Sequence, residues 1–259
     1  MSRHEDQDTV IVGPENPRIT AREAIELLRN RLARESGAGR PLVVYDLDAT
    51  LFDNRHRVLQ ILRDTLDLSE AKRLPEAVRV AVASVTVEGM RYLLSETLRD
   101  YGVDDPETVA WFQERWKERF FTNEYVLFDH PTPGAVEFVQ RLHAEGAHSV
   151  YLTGRDTPGM RSGTLESLEK HGFPLPDGRV CHLVTKPTFE QPDPEFKQDA
   201  IKIIHGLGTV IGVFDNEPKP MNVIVRAFPD AEHFFLDTMH SPDVEPIEPG
   251  IWVMRDFID

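Results

Sequence analysis

Cysteine is nearly absent from this chain. Among 259 residues only Cys181 carries a thiol, so an intramolecular disulfide is excluded and a reducing compartment fits. Long apolar runs are missing too. No stretch approaches the roughly 18 consecutive apolar residues of a membrane-spanning helix, and the polar residues 1–8 lack the apolar region of a signal peptide. Positive charge is scarce: 29 Lys and Arg stand against 44 Asp and Glu, a formal net charge of −15. That balance argues against a nucleic-acid grip, which needs a basic stripe. Internal repeats and low-complexity blocks are also lacking. The remaining composition, 40% hydrophobic and 28% charged, is that of a globular protein with one sizeable core or a core plus an inserted subdomain. A cytoplasmic protein without membrane or nucleic-acid partners is expected, its oligomeric state open.

Residues 1–17 are polar and are expected to be loose. Thr20 followed by Glu23 has the form of a capping box, and Ala21, Ile25, Leu28 and Leu32 mark a helix ending near Ser36 and Gly37. Residues 42–45 are an apolar run that reads as a buried parallel strand. After Asp53 the pattern becomes helical for about seventy residues. One amphipathic helix holds Val58, Leu62 and Leu66, a second spans 85–98, and a third starts at Pro106 and runs to Phe121 with its aromatic residues packed inward. Strands and helices then alternate, with strands at 149–152, 180–184, 209–214 and 233–236 and helices at 134–142, 164–171 and 197–204. Alternation of this kind implies parallel strands joined by right-handed crossovers. The expected fold is therefore α/β: a Rossmann-like parallel sheet flanked by helices (18–53 and 128–240), an all-helical cap insertion (54–127), and a tail (241–259) packing on the core with a short strand near 251–254.

The run at 42–45 ends in Asp46, Leu47, Asp48, Ala49 and Thr50. Open parallel sheets hold their ligands at the C-terminal ends of the strands. Two carboxylates spaced i, i+2 at such a tip can divide labour, one as nucleophile and metal ligand, the other as general acid and base.

This Asp-x-Asp-x-Thr pattern resembles the first signature of the haloacid dehalogenase-like hydrolase superfamily. The other three signatures follow in order. Thr153, at the end of an apolar strand and followed by Gly154 and Arg155, matches the second. Gly154 allows the backbone to approach an anion closely. Two lysines compete for the third: Lys197, before the helix leading to the next strand, is preferred, and Lys186, in a Lys-Pro pair, is the alternative. Asp215 matches the fourth. That motif is irregular, because Asn216 follows directly and the second acid is Glu217, with Asn222 a weaker candidate further on.

The resemblance implies Mg²⁺ held by Asp46, Asp215 and the backbone carbonyl of Asp48. It implies nucleophilic attack by Asp46 to give an aspartyl-phosphate, acid and base steps by Asp48, and a substrate phosphate held by Thr153, Gly154 and Lys197 with Arg155 beside them. Retention of an acid at Asp48 favours phosphoryl transfer over dehalogenation, since halide departs without a proton. The implied enzyme is a phosphatase acting on a small phosphorylated metabolite. A phosphotransferase or phosphomutase, or a non-catalytic relative binding a phosphorylated ligand or a protein, are the alternatives. At the cap entry Asn54, Arg55 and His56 form a hinge, and Arg55 is a candidate to reach a substrate anion. His143, His148, His171, His182 and His205 show no metal-ligand spacing.

Overall fold

The computed structural model describes residues 11–35 and 39–258. Helix α1 (Ala21–Glu35) leads into strand β1 (Pro41–Tyr45), and a two-residue strand β2 (Phe52–Asp53) opens the insertion. The insertion contains α2 (Arg55–Asp67), a short 3₁₀ turn, α3 (Glu76–Ala83), α4 (Leu94–Asp100), α5 (Pro106–Phe120) and α6 (Asn123–Val126). Strand β3 (His130–Pro131) pairs antiparallel with β2 and closes it. The core resumes with α7 (Ala135–Ala144), β4 (His148–Asp156), α8 (Thr157–His171), β5 (Cys181–Lys186), α9 (Asp193–Leu207), β6 (Thr209–Asp215), α10 (Pro218–Ala227), β7 (Glu232–Leu236) and β8 (Trp252–Met254). Six strands form one parallel sheet in the order β5-β4-β1-β6-β7-β8. This is a Rossmann-like α/β core.

Both faces of the sheet are buried, so its strands are apolar throughout rather than alternating. Val43 and Tyr45 point into a cluster with Leu28 of α1, Phe138 of α7 and Leu168 of α8. Leu42 and Val44 point the other way, onto Phe196, Ala200 and Ile204 of α9 and Ile224 of α10. The insertion has a separate apolar core, built from Leu62, Val82, Met90, Leu98 and Phe112 among others.

Several local signals act as read. Thr20 N–H donates to Glu23 Oε2 at 2.9 Å and Glu23 N–H to Thr20 Oγ1 at 3.3 Å, the reciprocal bonds of a capping box. Asp105 caps α5 by accepting from Thr108 N–H at 2.9 Å, with Pro106 in the first turn.

Three elements differ from expectation. The helix predicted over 85–98 is a loop followed by α4, with Val85, Met90, Leu94 and Leu98 all buried in the cap core. Burial at helical spacing was met there without helical backbone. Helix α8 starts at Thr157 rather than 164, and β4 runs on through Arg155 to Asp156, whose carboxylate caps α8 by accepting from Gly159 N–H at 2.7 Å. Gly159 and Gly163 hid those first turns. Finally, residues 11–17, expected to be loose, are tied to the tail: Asn16 Nδ2 donates to Glu248 O at 2.8 Å, Ile11 and Val12 pack on Ile247 and Val253, and Val253 N–H donates to Pro17 O at 2.9 Å. Residues 1–10, and the helix end expected near Ser36 and Gly37, lie outside the described residues.

Gly163 has a specific packing role. A Cβ there would lie 2.2 Å from the backbone oxygen of Asn123, where the cap returns to the core. Ala in a helix interior ordinarily adds stability relative to Gly. Here the backbone contact reverses the sign: Gly163→Ala should cost about 1–3 kcal/mol in urea unfolding. A variant more stable than wild type would refute the close approach.

Candidate active site

Parallel pairing aligns the ends of three strands. Tyr45 is level with Tyr151 of β4 and Phe214 of β6, and Asp46 N–H extends the ladder by donating to Phe214 O at 2.9 Å. Asp46, Asp215 and Thr153 therefore lie towards the C-terminal ends of three adjacent interior strands. Lys197, one turn into α9, reaches Asp215 Oδ2 with its Nζ at 3.5 Å. Burial, and then the neighbouring Asp215 carboxylate, raise the Asp46 carboxyl well above the ordinary range; Lys197 only partly opposes this. A half-buried and a buried acid share roughly one ammonium. Such an excess of hard oxygen donors suits a divalent cation, although among the described residues no three His, Cys, Asp or Glu side chains converge on one point.

Thr153 is buried, and its Oγ1 accepts from Arg155 N–H at 3.3 Å. Gly154 is exposed, with no atom within 4 Å of a Cβ placed there, so its backbone faces open space. Lys186 ends β5, two strands from β1, with its Nζ 6.0 Å from the Phe189 ring centre. Of the two candidate lysines, Lys197 is the one paired with Asp215. Glu217 donates its N–H to Asp215 Oδ1 at 2.9 Å, but its carboxylate turns away to accept from Ser241 N–H at 3.0 Å. Burial, then Asp215, raise the Glu217 carboxyl. Asn222 anchors the tail, donating to Pro246 O at 2.9 Å and accepting from Glu248 N–H at 2.8 Å, and takes no part in the site. Asn216, which makes the fourth motif irregular, is buried and links three loops. It accepts from Thr50 Oγ1 at 3.1 Å and donates to Met239 O at 2.6 Å.

Two candidates for anion contacts are engaged elsewhere. Arg55 forms a fork with the neighbouring Asp53, with Nε and Nη2 at 2.8 and 2.7 Å, because the tight strand end places that carboxylate beside it. Next to it the His56 ring stacks on His130 at 3.7 Å, across the two linkers that join cap and core. Arg155 is only 2% exposed and points inward: Nε donates to Asp48 Oδ2 at 2.8 Å, and Nη2 to Asp48 Oδ1 at 3.0 Å and Asp129 Oδ2 at 2.7 Å. Its low hydration and planar fork favour such a bidentate pair.

Arg57 completes a quartet that sequence reading missed. Its Nη2 donates to Asp48 Oδ1 at 2.8 Å, its Nε to Asp129 Oδ1 at 2.8 Å, and a further short bond joins Nη2 to Asp129 Oδ2. Arg57 and Asp129 are fully buried. Removing either would strand a charge at a cost of about 3–5 kcal/mol. Burial alone would raise the Asp48 carboxyl, but Arg155 and then Arg57 outweigh it and hold Asp48 well below the usual carboxylate range. Its side chain thus serves the guanidinium groups. An Arg in the first turn of α2, among apolar positions, was the available hint of this arrangement.

The turn after Asp48 is tight. Ala49 N–H donates to Phe52 O at 2.7 Å, and Ala49 is the only non-glycine with positive φ (58°) among the described residues. Such left-handed strain concentrates at functional sites. Over the same mouth the cap contributes Tyr92, whose hydroxyl burial and the nearby Glu217 push up to about 12.

Residues 41–215 match the haloacid dehalogenase-like hydrolase family, from the first residue of β1 to Asp215, and the chain belongs to that family. Among solved structures, one assigned as a phosphatase from Clostridium difficile shares 14% identity at a TM-score of 0.53, with 83% of this chain and 94% of that one covered. A haloacid dehalogenase-like family hydrolase from Streptococcus pneumoniae gives 11%, 0.50, 83% and 94%. A phosphoglycolate phosphatase by prediction, from Haemophilus somnus, gives 15%, 0.50, 83% and 94%. At these identities the likeness is one of fold. No curated protein matches the chain.

The raised Asp46 carboxyl has a consequence for stability. A group whose folded pKa is raised adds stability that is complete below the unfolded carboxyl value and lost as pH climbs through the folded value. Asp46→Asn removes that loss. In EDTA it should stabilise the fold at about pH 8 by roughly 0.5–2 kcal/mol, and the gain should shrink towards about pH 5. Urea titrations at the two pH values check this; a destabilised or pH-independent variant contradicts it.

Proposed function

We propose that this hydrolase is a Mg²⁺-dependent phosphatase that acts on a small phosphorylated metabolite through an aspartyl-phosphate. The observation that carries the reading is the juxtaposition of Asp46 and Asp215 at adjacent strand ends, with Lys197 on Asp215 and Thr153 on the neighbouring strand. Asp46, Asp215 and the Asp48 carbonyl would hold the cation, which offsets the repulsion between a carboxylate and a phosphate dianion.

In this reading Asp46 forms the bond to phosphorus as the leaving oxygen departs. Thr153 Oγ1 and the Gly154 backbone receive the phosphoryl oxygens, and Lys197 offsets their charge. Asp48, held as a carboxylate by its arginines, takes a proton from the water that hydrolyses the intermediate. It thereby starts the next turnover able to protonate the leaving oxygen. The cap limits access to small substrates and excludes bulk water.

Hydrolysis of p-nitrophenyl phosphate should require Mg²⁺ and disappear in EDTA. Asp46→Asn should abolish turnover, and Asp48→Asn should lower it by about 10²–10⁴-fold for substrates with poor leaving groups. Undiminished activity in EDTA or in Asp46→Asn would end this reading. Between the lysines, Lys197→Ala should depress kcat far more than Lys186→Ala in the same assay; the reverse order would reassign the role.

A further inference from the structure

Four charged groups, two positive and two negative, lie where the cap meets the core. They come from four separate places in the chain: Asp48 from the loop after β1, Arg57 from the first helix of the cap, Asp129 from the linker that leaves the cap, and Arg155 from β4. Three are sealed from solvent, with side-chain exposures of 0%, 0% and 1% for Arg57, Asp129 and Arg155. The fourth, Asp48, is 30% exposed and opens on the site. Arg57 is further fixed by donating to Phe120 O at 3.2 Å, with its guanidinium 4.4 Å over the Phe120 ring. Arg155 Nη1 donates to Thr164 Oγ1 at 3.2 Å. On Asp48, Oδ1 accepts from Arg57 and Arg155 and, at 3.3 Å, from Asn54, while Oδ2 accepts from Arg155. A carboxylate bound on both oxygens from three directions has one orientation.

An ion cluster serving only to dock the cap would have no need of a member that faces the site. We propose that Arg57 and Asp129 are positioning residues: they aim the Asp48 carboxylate, so that seating of the cap and orientation of Asp48 depend on the same bonds. This rests on the phosphatase reading, in which Asp48 serves the leaving oxygen. The consequence is selective. Misplacing a proton donor slows departure of a poor leaving group and hardly affects that of a good one, whereas the later attack of water on the shared intermediate slows alike for both.

The test compares an alkyl phosphate such as glycerol phosphate with p-nitrophenyl phosphate, in wild type, Arg57→Met, Arg57→Lys and Asp129→Asn. Arg57→Met and Asp129→Asn should lower kcat/KM, which reports the steps through departure of the leaving oxygen, by about 10²-fold on the alkyl ester and only a few-fold on the aryl ester. Arg57→Lys should recover part of the alkyl rate and remains informative if Arg57→Met fails to fold. Equal losses of kcat/KM on the two esters, or an unchanged kcat/KM on the alkyl ester in a folded variant, would overturn the proposal. Wild type inactive on both esters would count against the phosphatase reading instead. The orientation of Asp48 in a crystal structure of Arg57→Lys then decides the inference by itself: a displaced carboxylate upholds it, and an unmoved one overturns it.

Discussion

The last rung between β1 and β6, Asp46 N–H to Phe214 O, forces two carboxylates to end side by side largely out of water. Nothing about that pairing favours the fold by itself. Like charges out of water oppose folding, and the rise of the Asp46 carboxyl records that opposition. The cost is carried by the apolar ladder beneath, in which Val43, Tyr45 and Phe214 on one face and Leu42, Val44 and Val213 on the other are shielded by helices. Stability resides in the sheet, and the strand tips hold the strain that chemistry requires.

The second pair of acids is treated in the opposite way. Asp48 and Asp129 are matched one for one by Arg57 and Arg155, giving a neutral cluster in which both guanidinium groups are shared. Unmatched carboxylates at the strand ends would attract a cation, whereas matched ones a few residues away would not. The contrast divides Asp46 from Asp48 although they are two residues apart on one short loop. It also makes the cap part of the site, since Arg57 enters from the inserted helix while Gly159 and Gly163 let the returning chain lie against α8.

Much of this was legible in the chain. Buried parallel strands announce themselves as unbroken apolar runs, which is why β1, β6 and β7 were located closely, and Thr20 with Glu23 marked the start of α1 through a local hydrogen-bond pattern. Local rules failed where long-range packing chose the backbone. The loop 84–93 keeps helical spacing of its apolar residues because they fill one cap core, and α8 begins in a glycine-containing stretch because another segment presses on it. Candidate site residues fared unevenly for the same reason. Asp46 and Asp215 sit at strand ends, and Thr153 where the regular pairing of β4 stops, places that a motif implies. Arg55 and Arg155 are long side chains whose direction depends on partners distant in sequence or set by a tight turn.

From its residues alone the chain determined an α/β sheet with an inserted helical unit and the types of group at its strand tips, because strand burial and strand ends are written in local pattern. Only the tertiary structure decided which charges meet. The choice of Lys197 beside Asp215, the withdrawal of Arg155 from the open site, and the joining of Arg57 to Asp129 across 72 positions follow from distances between segments. Coulomb energy depends on those distances and on burial, neither of which is encoded in any short stretch of sequence.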